Sequence, residues 1–213
     1  MDKTSSNNRI KDFAEVYTSK REVDAMLDLV KQETERIDSR FFEPACGNGN
    51  FLIEIISRKL EILKKNFINN QHEFEKNLIV AASSVYGIDI LLDNVLEARK
   101  RSFEKIIDFY MNSFQENHNE NLIKSVEFIL EKNIIHGDAL TLFQVGSKKP
   151  VTFCEWGLFK NKIKRRDFTL SDLIAYAPFD RDTLFSDMGN DFYIPEPIKE
   201  YDVVNFDKVF LTC

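Results

Sequence analysis

The chain has 213 residues, 43% hydrophobic and 30% charged, with 29 Lys and Arg against 35 Asp and Glu for a formal net charge of −6. That composition describes one ordinary globular α/β-sized unit with 19 Phe for its core, and its acidity argues against strong, unaided, non-specific binding to a polyphosphate. No apolar run approaches the roughly 20 residues of a membrane span, and Cys46, Cys154 and Cys213 lack zinc-ligand or disulfide spacing, so reduced thiols in a cytoplasm and no metal are expected.

Residues 1–11 are polar, rich in Ser and Asn and without periodicity, and are expected to be disordered; 12–213 read as a single domain, without repeats or a linker. A helix is predicted over 19–35, with Ser19 as cap, Glu22 as its capping-box partner and Val23, Met26, Leu27 and Val30 as the apolar stripe. A short strand over 40–43 ends in the carboxylate of Glu43; Pro44 stops it, and Gly47-Asn48-Gly49 forms a turn of unusual dihedrals. From Asn50 or Phe51 a long helix follows through Leu52, Ile55, Ile56, Leu60 and Leu63 to about residue 66, where the polar stretch 66–76 is expected to break it.

The apolar run 78–90 predicts a second strand over 84–88 with Asp89 at its end, and 93–109 the next helix, with Arg99, Lys100 and Arg101 on its outer surface. After a polar loop, 112–120, and a short helix over 121–130, a third strand over 133–140 again carries an acidic residue, Asp138. The alternation implies an α/β fold with a mostly parallel sheet and helices on both faces. Beyond it, the sequence predicts a strand over 152–159, a basic turn over 160–166, a capped short helix over 169–175 and a loop over 180–199.

In open α/β sheets ligands sit at the carboxyl ends of the strands. Gly47 and Gly49 let the backbone approach a ligand closely. Asp89 is placed to accept from two ribose hydroxyls and Asp138 from an adenine amino group, a set that fits a nucleoside. A dinucleotide fits less well, because Leu52 stands where the third glycine of the dinucleotide fingerprint belongs and Asp89 lies far beyond the expected ribose position.

Phe42-Glu43-Pro44-Ala45-Cys46-Gly47-Asn48-Gly49-Asn50-Phe51-Leu52 resembles the S-adenosylmethionine (SAM) motif of adenine-N6 DNA methyltransferases from bacterial restriction–modification systems. Val16-Tyr17-Thr18-Ser19 is similar to the segment that closes over the methionine end of SAM in that family, with Ser19 in place of the usual proline. Tyr86 to Ile90 resembles the ribose-binding strand, and His136 to Leu140 the adenine-contacting one.

The resemblance, covering about 13–142, implies a Rossmann-like class I SAM-dependent methyltransferase fold. It implies a cofactor site of Tyr17, Thr18, Glu43, Pro44, Ala45, Gly47, Gly49, Phe51, Asp89, Ile90, Asp138 and Ala139, and DNA as the partner, met directly or through a partner subunit. No membrane or metal enters this reading. The family's [DNS]-P-P-[YFW] tetrapeptide, which holds the target amine and stacks on the extruded base, is absent; Asn205, in Val203-Val204-Asn205-Phe206, is its nearest imitation. The C-terminal end therefore reads as a truncated or variant form. The rival expectation is a SAM-binding, non-catalytic subunit of a modification complex.

Overall fold

The computed structural model describes residues 18–115, 117–175 and 196–213. The stretch expected to be disordered and most of the 180–199 loop lie outside the described residues, as does Tyr17.

Helix α1, Lys20–Asp28, starts at its expected capping box: the Ser19 hydroxyl accepts from the Glu22 amide, and the Glu22 carboxylate accepts from the Ser19 amide at 3.0 Å. It stops well short of residue 35. Only Val23 and Leu27 are buried, Leu29 and Val30 are exposed, and a turn there leads to the one-turn helix α2, Lys31–Thr34. Strand β1, Phe41–Glu43, then runs into the glycine turn, and α3, Asn50–Phe67, buries Leu52, Ile55, Ile56, Leu60 and Leu63.

The polar stretch expected to be a break is mostly the start of another helix. In α4, Gln71–Ser83, the Asn70 side chain accepts from the Glu73 amide, and Phe74, Leu78, Ile79, Ala81 and Ala82 are buried. Gln71, His72 and Glu73 form its outward first turn, which hid the periodicity. The apolar run 78–90 is thus split between the end of α4 and strand β2, Val85–Asp89, buried along its whole length. Helices α5, Leu92–Phe114, and α6, Glu120–Asn133, are both longer than expected; strand β3, Ile134–Asp138, follows directly.

The first sheet has the order β1-β2-β3-β4, where β4 is Phe143–Gln144. β1, β2 and β3 are parallel, with Phe42 opposite Tyr86, Glu43 opposite Gly87 and Asp89 opposite His136; β4 is antiparallel to β3. The second sheet is wholly antiparallel. Its hairpin joins β5, Thr152–Phe159, to β6, Lys162–Thr169, with β7, Lys199–Glu200, and β8, Val204–Asn205, on β6. Helix α7, Leu170–Ala175, leaves β6, and a 3-10 helix, Phe206–Leu211, leaves β8.

The basic turn expected over 160–166 is therefore only Lys160 and Asn161; the rest is strand. Inward positions of β6 hold Arg165 and Asp167, so the alternation was not apolar and was not read. Arg165 donates to both carboxylate oxygens of Asp167 at 2.8 Å and to the Thr212 carbonyl at 2.6 Å, and it stacks on Tyr201 at 4.1 Å.

The chain is mixed α/β, and the expected parallel arrangement extends to three strands. One face of the first sheet meets α3: a Cβ on Gly87 would lie 3.0 Å from both Cys46 and Leu52. The opposite face, carrying Phe42, Tyr86 and Ile88, meets the hairpin where helices were expected. Phe153 makes edge contacts with Phe42 and Tyr86, and the Tyr86 hydroxyl donates to the Cys154 carbonyl at 2.9 Å.

Candidate functional site

Side chains alternate across a strand, so the register assigns a face to each acidic residue. Glu43 stands opposite Gly87, Asp89 opposite His136, and Asp138 two residues past His136. Glu43, Asp89 and Asp138 thus share the α3 face, at the carboxyl ends of three adjacent parallel strands.

The glycine turn joins them. Gly47 (φ 52°) and Gly49 (φ 90°) occupy the left-handed region, where a Cβ is strained. The Gly47 amide donates to Asp89 Oδ2 at 2.8 Å, and the Cys46 amide to the Ile88 carbonyl at 2.9 Å, so the turn is pinned to β2. Gly49 ends the turn against α5: a Cβ there would sit 3.1 Å from both Cα and Cβ of Ala98. Helix α3 then starts with no side-chain cap and no acidic residue in its first turn. Its first amides therefore lack intrahelical partners.

Asp89 is buried, and Oδ1 accepts from the Leu91 amide at 2.8 Å and from Asn94 Nδ2 at 3.3 Å. Each carboxylate oxygen offers more than one lone pair, so acceptor capacity remains for a ligand. Glu43 is half-buried; burial raises its pKa, opposed by the Ala45 amide at 3.3 Å. Asp138 is held below the usual carboxylate range, first by the Leu140 amide at 2.8 Å and next by Thr141.

Among the other expected residues, Pro44 and Ala45 are exposed on the turn. Phe51 and Ala139 are partly buried against the core, and Ile90 is 44% exposed beside Asp89. Thr18 reaches the turn through its carbonyl, which accepts from Asn50 Nδ2 at 3.0 Å. Asn205 lies on β8 opposite Lys162, in the second sheet rather than at the strand ends of the first. His136 Nε2 is 3.0 Å from the Ile90 carbonyl.

Two cations read as helix surface are tied into the structure instead. Arg99 donates to the Ile134 and Glu131 carbonyls, both at 2.8 Å, and Arg101 donates to the Asn48 carbonyl of the glycine turn at 2.7 Å. Their sequence signal was absent, because an Arg on an amphipathic helix looks the same whether it meets water or a carbonyl. Burial pushes the Cys46 thiol up to about 12, so it packs as a small apolar group. Among the described residues, no group of three or more His, Cys, Asp or Glu side chains is placed to hold a metal ion, and no helix is long and apolar enough to cross a membrane.

A glycine turn running from a parallel strand into a helix, with acidic side chains at neighbouring strand ends, belongs to the α/β proteins that bind ligands at strand carboxyl ends. The family model of the MmeI DNA-methyltransferase domain matches residues 14–145, more than half of the chain and all of this site. The chain belongs to that family, and its resemblance to restriction–modification methyltransferases stands on the same residues. Neither a curated protein nor a solved structure matches it.

Proposed function

We propose that the chain is a SAM-dependent methyltransferase domain of the restriction–modification type, acting on the exocyclic amine of adenine in DNA. The observation that carries this reading is the shared face of Glu43, Asp89 and Asp138 beside the Gly47–Gly49 turn. The residues fit the cofactor chemically. The Gly47–Gly49 turn carries the chain from β1 into the uncapped start of α3, which offers amides to a carboxylate, and three carboxylates favour a cationic sulfonium and accept from nucleoside hydroxyls and amine. Glu43, Pro44, Ala45, Gly47, Gly49 and Phe51 would line the amino-acid side, with Thr18 beside it. Asp89 and Ile90 would hold the ribose, and Asp138 and Ala139 the adenine. SAM supplies an electrophilic methyl group for direct in-line transfer, so the protein's task is positioning and exclusion of water rather than covalent catalysis. The fold this reading requires is a Rossmann-like methyltransferase arrangement, formed by 12–213 as one domain.

A second reading has its own observation. The catalytic tetrapeptide is absent, and its nearest imitation, Asn205, stands on the second sheet. A SAM-binding module that works with a partner subunit accounts for that placement. Incubation of the purified chain with methyl-labelled SAM and unmodified plasmid separates the two. Label in DNA supports the first reading. Retention of SAM without transfer to DNA supports the second, and failure to retain SAM removes both.

A further inference from the structure

The Asn50 side chain stands between two groups of opposite hydrogen-bonding character. Its Oδ1 accepts from Arg101 Nη1 at 3.1 Å, while its Nδ2 donates to the Thr18 carbonyl at 3.0 Å. A guanidinium only donates and a carbonyl only accepts, so the amide is the group that serves both at once, and in a single orientation. The same Arg101 nitrogen also donates to the Asn48 carbonyl at 2.7 Å. Arg101 lies on α5, one turn from Ala98, where Gly49 makes its closest approach.

Three parts of the chain far apart in sequence therefore meet at one amide: the segment before α1, the glycine turn, and α5. The rest of α1 is fastened to α3 separately, by Lys20 to Glu54 at 3.2 Å, by Arg58 to the Asp24 carbonyl at 3.2 Å, and by Arg58 to Asp28 at 2.8 Å. Those bonds hold the helix. The Asn50 bond alone ties the residue preceding its cap to the turn, among the described residues.

We infer that Asn50 and Arg101 form a latch that positions the Thr18 segment against the cofactor site and so sets how fast SAM leaves. Both are positioning residues rather than catalytic ones, and the inference rests on the SAM reading above. Arg101 fixes the turn and orients the Asn50 amide; Asn50 then fixes Thr18. The two functions separate in Asn50→Asp. An aspartate keeps the acceptor for Arg101, gains charge attraction and suits the first turn of a helix. It has no donor for the Thr18 carbonyl.

The test uses the full chain. Hydrogen exchange of the ligand-free protein follows the amides from Thr18 to Arg21, and a stopped-flow chase gives the SAM dissociation rate. The latch predicts that Asn50→Asp keeps the thermal midpoint within about 2 °C, speeds exchange of that segment, and raises SAM dissociation by about tenfold, the scale of one hydrogen bond. Asn50→Ala, which adds no charge, should accelerate dissociation as much or more, and Arg101→Lys should fall between it and the native chain. Native-like dissociation in Asn50→Asp, or unchanged exchange at Thr18 to Arg21, overturns the latch. If the native chain binds no SAM, the cofactor reading fails, and the exchange data alone decide whether Asn50 holds Thr18.

Discussion

Gly49→Ala perturbs the glycine turn at a position where two costs are separable. At φ 90° a side chain is strained, by about 1–2 kcal/mol for the left-handed region. The new Cβ also meets Ala98 at 3.1 Å from both its Cα and its Cβ; the first of these atoms belongs to the α5 backbone and cannot swing aside. Overpacking of this kind costs about 1–3 kcal/mol. The sum, roughly 2–5 kcal/mol, corresponds to a fall in thermal midpoint of about 4–20 °C for a chain of this size. Gly146→Ala is the control, since Gly146 has φ 71° but nothing within 4 Å of its Cβ position, leaving only the backbone cost. Calorimetric melting of both variants, and of Gly49→Ala with Ala98→Gly, completes the test. The double variant should recover part of the loss beyond additivity, because the clash with the Ala98 methyl disappears while the clash with the α5 backbone remains. A Gly49→Ala penalty no larger than that of Gly146→Ala would refute the close approach of the turn to α5.

Lys59 is fully buried and donates to the Ile37 and Ser39 carbonyls and to Ser84 at 2.6–2.8 Å; burial lowers its pKa from 10.5 to about 7. Above pH 7 the unfolded chain then binds more protons at this residue than the native one, so its contribution makes stability rise with pH. Urea midpoints between pH 7 and 8.5 should show a positive slope of up to about 1.4 kcal/mol per pH unit that Lys59→Met removes; an unchanged slope contradicts the burial of its charge. Arg165→Ala leaves the Asp167 carboxylate buried without its guanidinium, though still accepting from the Tyr201 hydroxyl at 3.0 Å, and should cost about 3–5 kcal/mol in urea unfolding. Arg166→Ala, which loses a partly exposed pair with Glu155, should cost less than about 1 kcal/mol, and equal losses would remove the special role of the buried pair. Native alkylation should modify Cys213 quickly and spare Cys46 and Cys154, whose thiols burial pushes up to about 12; rapid loss of all three thiols would show that neither is sheltered.

What was legible before the structure was whatever obeyed a single local rule. The capping box at Ser19 and Glu22, the strands ending at Glu43, Asp89 and Asp138, and the glycine turn all appear where chain pattern and turn chemistry put them. Helix α4 escaped because its polar first turn resembled a linker and its apolar end merged with β2. Strand β6 escaped because a buried Arg–Asp pair replaced the apolar half of its alternation. At the site, side chains whose partners are near in sequence were readable. The bonds of Arg101 to Asn48 and of Asn50 to Thr18 were not, since they join residues separated by 53 and 32 positions.

The account turns on whether one ligand joins the three strand ends. Isothermal titration of the purified chain with SAM, beside NAD and adenosine, examines this most directly. The account predicts saturable one-to-one heat with SAM, weaker heat with adenosine, none with NAD, and SAM affinity at least tenfold lower in Asp138→Ala, about 1.4 kcal/mol. No heat with SAM, or preference for NAD, would contradict it.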